Sequence, residues 1–204
     1  MKKLFAMAAA LLIFVGAASA QTYFNIGYGQ GTTTTKFGDM DPDPYNTNIG
    51  YVGISHNFRF GDFVGFELGA NFVYDYDKTK DEYEGQKAGV KTEYMGVQVP
   101  ALFNYKLALS RDLAFKFFLG PTFQYGLKYT STPYVGKEES YSIDYYGDNG
   151  FSRLGISASA AFAVEVAEAF RIKIGYDYGL KDLSPSDDIK TTQNVVNFSL
   201  AYMF

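Results

Sequence analysis

Met95-Gly96-Val97-Gln98-Val99-Pro100-Ala101-Leu102-Phe103-Asn104-Tyr105-Lys106-Leu107 places an apolar or aromatic residue at every odd position. The even positions carry Gly, Gln, Pro, Asn and Lys, with Leu102 the single exception. Successive side chains of a strand point to opposite faces, so a period of two over this length reads as one long β-strand with one apolar face. Residues 113–129 repeat the pattern, with Leu113, Phe115, Phe117, Leu119, Phe123, Tyr125, Leu127 and Tyr129 on one face. Lys116, Gly120, Thr122, Gln124, Gly126 and Lys128 occupy the other.

Working outward, the same split marks four further strands. Val64, Phe66, Leu68, Ala70, Phe72, Tyr74 and Tyr76 oppose Gly65, Glu67, Gly69, Asn71 and Asp75. Leu154, Ile156, Phe162, Val164 and Val166 oppose Arg153, Gly155, Ser157, Ser159 and Glu165. Phe170 to Leu180 sets aromatic and aliphatic residues against Arg171, Lys173, Gly175, Asp177 and Gly179. Val196, Phe198, Leu200, Tyr202 and Phe204 oppose Asn197, Ser199 and Ala201. Shorter alternations at Phe24, Ile26 and Tyr28, and at Val52, Ile54 and Phe58, bring the total to eight. Long polar loops are expected at roughly 32–48, 78–91, 131–150 and 182–191, alternating with short turns at 59–62, 110–112 and 167–169. Hairpins with short turns at one end and long loops at the other are the plan of bacterial outer-membrane barrels.

Alternation alone does not say which face is outside. The interior of an eight-stranded barrel is only just filled by side chains. The apolar parity holds most of the strand Phe and Tyr, drawn from 19 Phe and 18 Tyr, and these cannot fit that lumen. The Gly-, Ser-, Ala- and Thr-rich parity therefore points inward. The expectation is an all-β, eight-stranded antiparallel up-and-down transmembrane barrel with its apolar face towards lipid, closed so that no strand edge is left unpaired. Aromatic girdles are expected at both interfaces: Tyr74, Tyr76, Tyr125, Tyr129, Tyr176 and Tyr178 near the long loops, and Phe58, Phe115, Phe170, Tyr202 and Phe204 near the short turns. Pro100 by parity faces inward and Pro121 outward, and each is expected at a β-bulge, since Pro removes a ladder donor.

The first twenty residues stand apart. Lys2 and Lys3, an apolar Leu4 to Val15 and the small Ala18-Ser19-Ala20 have the anatomy of a cleavable signal peptide. Residues 1–20 are thus expected to be removed and 21–204 to form the barrel domain in the cell outer membrane, with both termini on the periplasmic side. Lys2 and Lys3 account for two of the 18 basic side chains, leaving 16 against 22 acidic ones and a net charge of about −6. That balance argues against nucleic acid as a partner. There is no Cys, which excludes disulfides and thiolate metal sites.

The inward charges Glu67, Lys116, Arg153, Glu165, Arg171, Lys173 and Asp177 are expected to form one hydrogen-bonded network across the lumen, because buried charge is costly unless paired. With so little room inside eight strands, structural cross-linking is the reading, and an ion path the alternative. The only His, His56, lies near a short turn with no Ser or Cys nucleophile and orienting carboxylate evident in sequence, so no catalytic residue is assigned. Asp39-Met40-Asp41-Pro42-Asp43-Pro44 lacks the Gly and Glu of an EF-hand at the sixth and twelfth positions, where Pro44 and Gly50 stand. Neither a dedicated metal site nor a cofactor is expected, and loose divalent-cation binding by this acidic run, bridging to lipopolysaccharide phosphates, is the alternative. The Thr32–Thr35 run and the mixed-charge Lys78–Lys91 segment read as exposed loop.

Val97-Gln98-Val99-Pro100-Ala101-Leu102-Phe103-Asn104-Tyr105, with Phe118-Leu119-Gly120-Pro121 one hairpin later, resembles the small outer membrane protein β-barrel domain family, often labelled a porin family. Leu200, Tyr202 and the terminal Phe204 resemble the C-terminal aromatic signal read by the barrel-assembly machinery. The resemblance implies Gram-negative outer-membrane location and biogenesis through the secretion and barrel-assembly machinery. Outer-membrane lipid and lipopolysaccharide are the surroundings it implies. The functional expectation is a non-enzymatic protein with a structural or surface-binding role through four long loops. A narrow porin or transporter of small or hydrophobic solutes, and a lipid-modifying enzyme, are the alternatives.

Overall fold

The structure, a computed structural model, describes residues 21–204 apart from 39, 84, 85, 137, 148, 149, 185, 187 and 188. Residues 1–20, where the signal peptide is read, and Asp39 of the acidic run lie outside the described residues. The described chain is entirely strand, turn and irregular structure. Its elements are β1 (Gln21–Phe37), β2 (Asp43–Arg59), β3 (Val64–Tyr83), β4 (Gln86–Ala108), β5 (Leu113–Val135), β6 (Glu138–Glu139), β7 (Ile143–Asp144), β8 (Leu154–Val166), β9 (Phe170–Gly179) and β10 (Ile189–Met203).

Eight of these make the wall. Each long strand pairs antiparallel with the strand before and after it, and β1 pairs with β10 from Tyr23↔Met203 to Phe37↔Ile189. The sheet therefore closes in the order β1-β2-β3-β4-β5-β8-β9-β10. Closure satisfies the backbone donors and acceptors that a spanning sheet cannot offer to water. The two-residue β6 and β7 fold back onto the far end of β5 within its long loop.

The faces follow the parity of the sequence. Along β3, Gly65, Glu67, Gly69, Asn71, Val73 and Asp75 are buried inside while the intervening side chains are partly or fully exposed. On β9, Arg171, Gly175 and Asp177 are buried between exposed Phe170, Ile172, Ile174, Tyr176 and Tyr178. The outer surface is thus a continuous apolar band on all eight strands, which water would not tolerate and lipid would. The three short turns fall where the sequence places them, at residues 60–63, 109–112 and 167–169.

Three expectations are corrected. Two of the four long loops are mostly strand: β1 and β2 leave only residues 38–42 between them, and β3 and β4 only 84–85. Thr32 to Thr35 accordingly pair with β2 and β10. A strand of 23 residues such as β4 or β5 reaches about 75 Å at ~3.3 Å per residue, far more than a hydrocarbon core of ~30 Å requires. The hairpins therefore stand well clear of the membrane at the long-loop end.

The bulge is not at a proline either. Pro100 is buried inward and Pro121 exposed outward, as their parity predicts, yet neither shifts the register. Instead, β3–β4 pairing skips from Leu68↔Ala101 to Asn71↔Gln98 in unbroken register. A Cβ on Gly69 would lie 2.9 Å from Pro100 Cγ, so the proline ring seats over a glycine. The register shift falls between Met95 and Gly96, where Gly96↔Gly126 is followed by Met95↔Lys128 and Leu127 is left over on β5. One extra residue inverts the parity beyond it. Tyr129, expected in the lipid-facing girdle, consequently turns inward.

Candidate functional site

Near the short-turn end the lumen is crossed by a layer of charge. β3 and β9 stand four places apart in the eight-membered ring, directly opposite each other. Glu67 from the first and Arg171 from the second meet across that diameter. Arg171 donates through Nη2 to Glu67 Oε1 at 3.1 Å and through Nη1 to Glu67 Oε2. Lys173 Nζ stands 3.8 Å from the same carboxylate. On the neighbouring strands β5 and β8, Lys116 Nζ lies 2.5 Å from Glu165 Oε2, and Tyr23 of β1, across the ring from β5, donates its hydroxyl to that oxygen at 2.8 Å. The Arg171 guanidinium lies 4.2 Å from the Tyr23 ring centre, which couples the two pairs. Charge-assisted, fork-shaped contacts of this kind are strong and directional.

Glu67, Lys116, Glu165 and Arg171 are each only 1% exposed. A water-sized sphere does not reach them, so no water-filled bore passes at this level. Phe118, Leu102 and Ala163 form an apolar cluster against the layer, with the Arg171 guanidinium 5.3 Å from the Phe118 ring. Higher up, Ile49, Val73 and Val195 form a second cluster with Tyr51 and Tyr94 packed on it. A cavity of about 40 Å³ remains between these groups.

Two of the seven charges expected in the network stand apart from it. Arg153 sits at the long-loop end, donating to the carbonyls of Gly126 at 3.2 Å and Leu127 at 3.0 Å, 4.6 Å from the Tyr146 ring. Asp177 accepts from Asn197 Nδ2 at 3.0 Å. Sequence reasoning missed Tyr23 and Lys106. Tyr23 is completely buried; its odd position on β1, shared with Asn25 and a run of glycines, was the available signal. Lys106 bonds Glu168 in the β8–β9 turn at 2.7 Å and lies 3.8 Å from Glu165. That hydrogen bond, with Arg59 3.7 Å away, holds the Glu168 carboxyl below the ordinary glutamate range.

At the long-loop end the barrel opens into a cup of about 270 Å³. Tyr129, brought inside by the bulge, lies 4.6 Å from Tyr145, 5.9 Å from Tyr146 and 6.2 Å from Phe151, ring centre to ring centre. Tyr94 meets it edge-on at 6.0 Å and accepts from Gln124 Nε2. The hydroxyl end of Tyr146 rests against Gly126, where a Cβ would overlap it.

The predicted girdle residues Tyr74, Tyr76, Tyr125, Tyr176 and Tyr178 do project outward, as does Phe170 at the other end, while Phe58 and Phe115 are half-buried among ring neighbours. Leu200, Tyr202 and Phe204 are exposed on the outer face of β10 and just beyond it. His56 also projects outward, with Nδ1 3.0 Å from Thr22 Oγ1 and its ring edge-on to Phe58. Among the described residues no group of three or more His, Cys, Asp and Glu is placed to hold a metal ion.

A closed eight-stranded sheet with an apolar exterior and a charged interior defines the class of membrane-spanning β-barrels. The outer membrane protein β-barrel domain model matches residues 19–184, and the chain belongs to that family. Solved structures of similar fold include Ail, the attachment invasion locus protein of Yersinia pestis, 14% identical over 90% of this chain and 99% of that one, with a TM-score of 0.45. OprG from Pseudomonas aeruginosa is 15% identical over 90% and 96% of the two chains, with a TM-score of 0.41. The outer membrane enzyme PagL is 14% identical over 88% and 98%, also at 0.41. No curated protein sequence matches the chain.

Proposed function

We propose that this outer-membrane barrel is a non-enzymatic, non-conducting protein whose role is carried by its long-loop end, as a structural or surface-binding element of the envelope. The observation that carries this reading is the Glu67–Arg171 bridge across the lumen, in a layer that water does not enter. A solute path needs polar walls with water between them; here opposite walls are joined to each other. The catalytic alternative has little to work with. His56 engages Thr22 and Phe58, not a nucleophile held beside a carboxylate. Exposed rings at both ends of the apolar band suit contact with outer-membrane lipid and lipopolysaccharide.

The test is conductance of the purified, folded protein in planar lipid bilayers. The wild-type barrel is expected to give no sustained single-channel current. The double variant Glu67→Ala, Arg171→Ala, which removes the bridge from both walls, is expected to conduct small ions. Steady, large currents from the wild type would overturn the sealed-lumen reading.

A further inference from the structure

Arg153 and Lys181 stand half-buried on the wall of the long-loop cup with donors to spare. A guanidinium carries five N–H donors and an ammonium three. Arg153 Nη1 serves the carbonyls of Gly126 and Leu127, and Nη2 reaches the Tyr146 carbonyl at 3.5 Å. Its Nε–H and the second Nη2–H meet no acceptor among the described residues. Lys181 Nζ donates to Ser152 Oγ at 2.9 Å, and its remaining hydrogens are likewise without an acceptor there. Ser152 precedes Arg153 in the chain, so its hydroxyl ties both cations to one stretch of wall.

The charge balance selects among ligands. Asp75 is the one acidic side chain among the described residues that line the cup, and it is only 6% exposed, with Oδ1 shut away from solvent. The wall therefore presents more positive than negative charge, although the chain as a whole carries 22 acidic against 18 basic side chains. An organic cation is repelled here. A neutral ligand would strip water from cationic donors without giving them an acceptor, which costs free energy. Tyr129, Tyr145 and Phe151 bring rings to the same cavity, with Tyr129 4.6 Å from Tyr145 and 6.2 Å from Phe151. Such a cluster suits a further ring, edge-on or offset. A volume of about 270 Å³ equals roughly nine waters at about 30 Å³ each, room for one ring with its headgroup.

We propose that the long-loop cup binds a small organic anion, its carboxylate or phosphate group held by Lys181 and Arg153 and its ring packed against Tyr129, Tyr145 and Phe151. Charge-assisted hydrogen bonds to the headgroup supply most of the affinity, and the ring cluster sets which anions fit. This rests on the reading of the long-loop end as the binding end. It does not depend on the conductance result, since a cup above a leaking lumen still binds and a sealed lumen need not carry a ligand.

The experiment is calorimetric titration of the folded protein in phosphatidylcholine nanodiscs with benzoate and phenyl phosphate, with empty discs as background. Benzyl alcohol and benzylammonium carry the same ring with no charge and with the opposite one, and inorganic phosphate carries the charge without the ring. Saturable binding of benzoate, phenyl phosphate or both is expected, at least about tenfold tighter than that of the three controls. Lys181→Met is expected to weaken it about tenfold, whereas Lys181→Arg, which keeps the charge, retains it. Tyr145→Leu removes a ring and no charge, and is expected to weaken both ring-bearing anions. The gel mobility of each variant establishes that its barrel is folded before titration. The proposal fails if neither anion saturates, if any of the three controls binds as tightly, or if folded Lys181→Met and Tyr145→Leu both bind as the wild type does.

Discussion

Arg171 and Glu67 span the full diameter of the barrel, each rooted in a strand opposite the other and each almost completely buried. The bridge braces the wall as a strut would, fixing how far β3 and β9 stand apart. Glu165 lies directly across from Arg171 in the β8–β9 ladder, so the guanidinium has acidic groups both beside it and opposite.

Removing one partner of such a pair strands the other charge in a dry interior. Glu67→Gln or Arg171→Met is therefore expected to destabilise the barrel by about 3–5 kcal/mol, the usual cost of breaking a buried pair from one side. The double variant Glu67→Gln, Arg171→Met is expected to recover part of that loss, because neither charge is then stranded. Urea unfolding in liposomes, followed by the change in gel mobility between folded and unfolded forms, measures all three.

Tyr23 makes a smaller and separable contribution. Its hydroxyl donates to Glu165 at 2.8 Å inside the same layer. Tyr23→Phe keeps the ring under Arg171 but removes the donor, leaving Glu165 with Lys116 and, at 3.8 Å, Lys106. A loss of about 1–3 kcal/mol is expected, within the range for a hydrogen bond to a buried charge. The same unfolding transition, compared with that of Lys116→Met, reads it out.

Which of these features could be seen in the sequence follows a simple physical line. Parity along a strand is set by the pleat, so the positions of Glu67, Lys116, Glu165 and Arg171 on the inner face were legible from spacing alone. Their partners were not, because who meets whom across a lumen depends on ring order and stagger, which no single strand encodes. Tyr23 was hidden by the sound rule that aromatics go outward in a narrow barrel; Gly27 shows how room is made for another inward ring, since a Cβ there would overlap Tyr51. Tyr129 was misplaced for a different reason. A bulge at Leu127 is one residue long and has no composition of its own, yet it turns Tyr129 inward, against the rings of Tyr145 and Tyr146.

The β8–β9 turn offers a stabilising change. Ala167 and Glu168 both have left-handed backbone, with φ of 53° and 52°, and Ala169 N–H closes the turn onto the Val166 carbonyl at 3.1 Å. This is the tight hairpin geometry that prefers Asn-Gly, and an alanine there costs about 1 kcal/mol relative to a residue that tolerates the region. Ala167→Asn is expected to raise the unfolding midpoint with no effect on the lumen, which thermal gel-mobility scans would detect.

Glu168, next to it, gives a pH signature. Lys106 holds the Glu168 carboxyl below its ordinary value, so the contact stabilises the fold above that value and is lost as pH falls through the depressed one. Exposure to solvent limits the effect to less than about 1 kcal/mol. The stability difference between wild type and Glu168→Gln is expected at neutral pH, to shrink as pH drops below the ordinary 4.5, and to vanish in stronger acid. A gap that persisted unchanged at low pH would show that the carboxylate charge is irrelevant there.

The C-terminal residue separates folding from biogenesis. Phe204 is 74% exposed, and its backbone N–H bonds the Thr22 carbonyl at 3.1 Å. Replacing the side chain keeps that backbone bond and removes a ring that packs little within the barrel itself, so Phe204→Ala is expected to keep the ability to fold in detergent. If Leu200, Tyr202 and Phe204 serve as the signal to the assembly machinery, the variant refolds into detergent like the wild type but accumulates poorly in the outer membrane of cells. Fractionation of cells carrying the variant, set beside refolding yield in vitro, measures both at once. Equal loss in the two assays would make Phe204 a structural residue; loss in cells alone makes it an address.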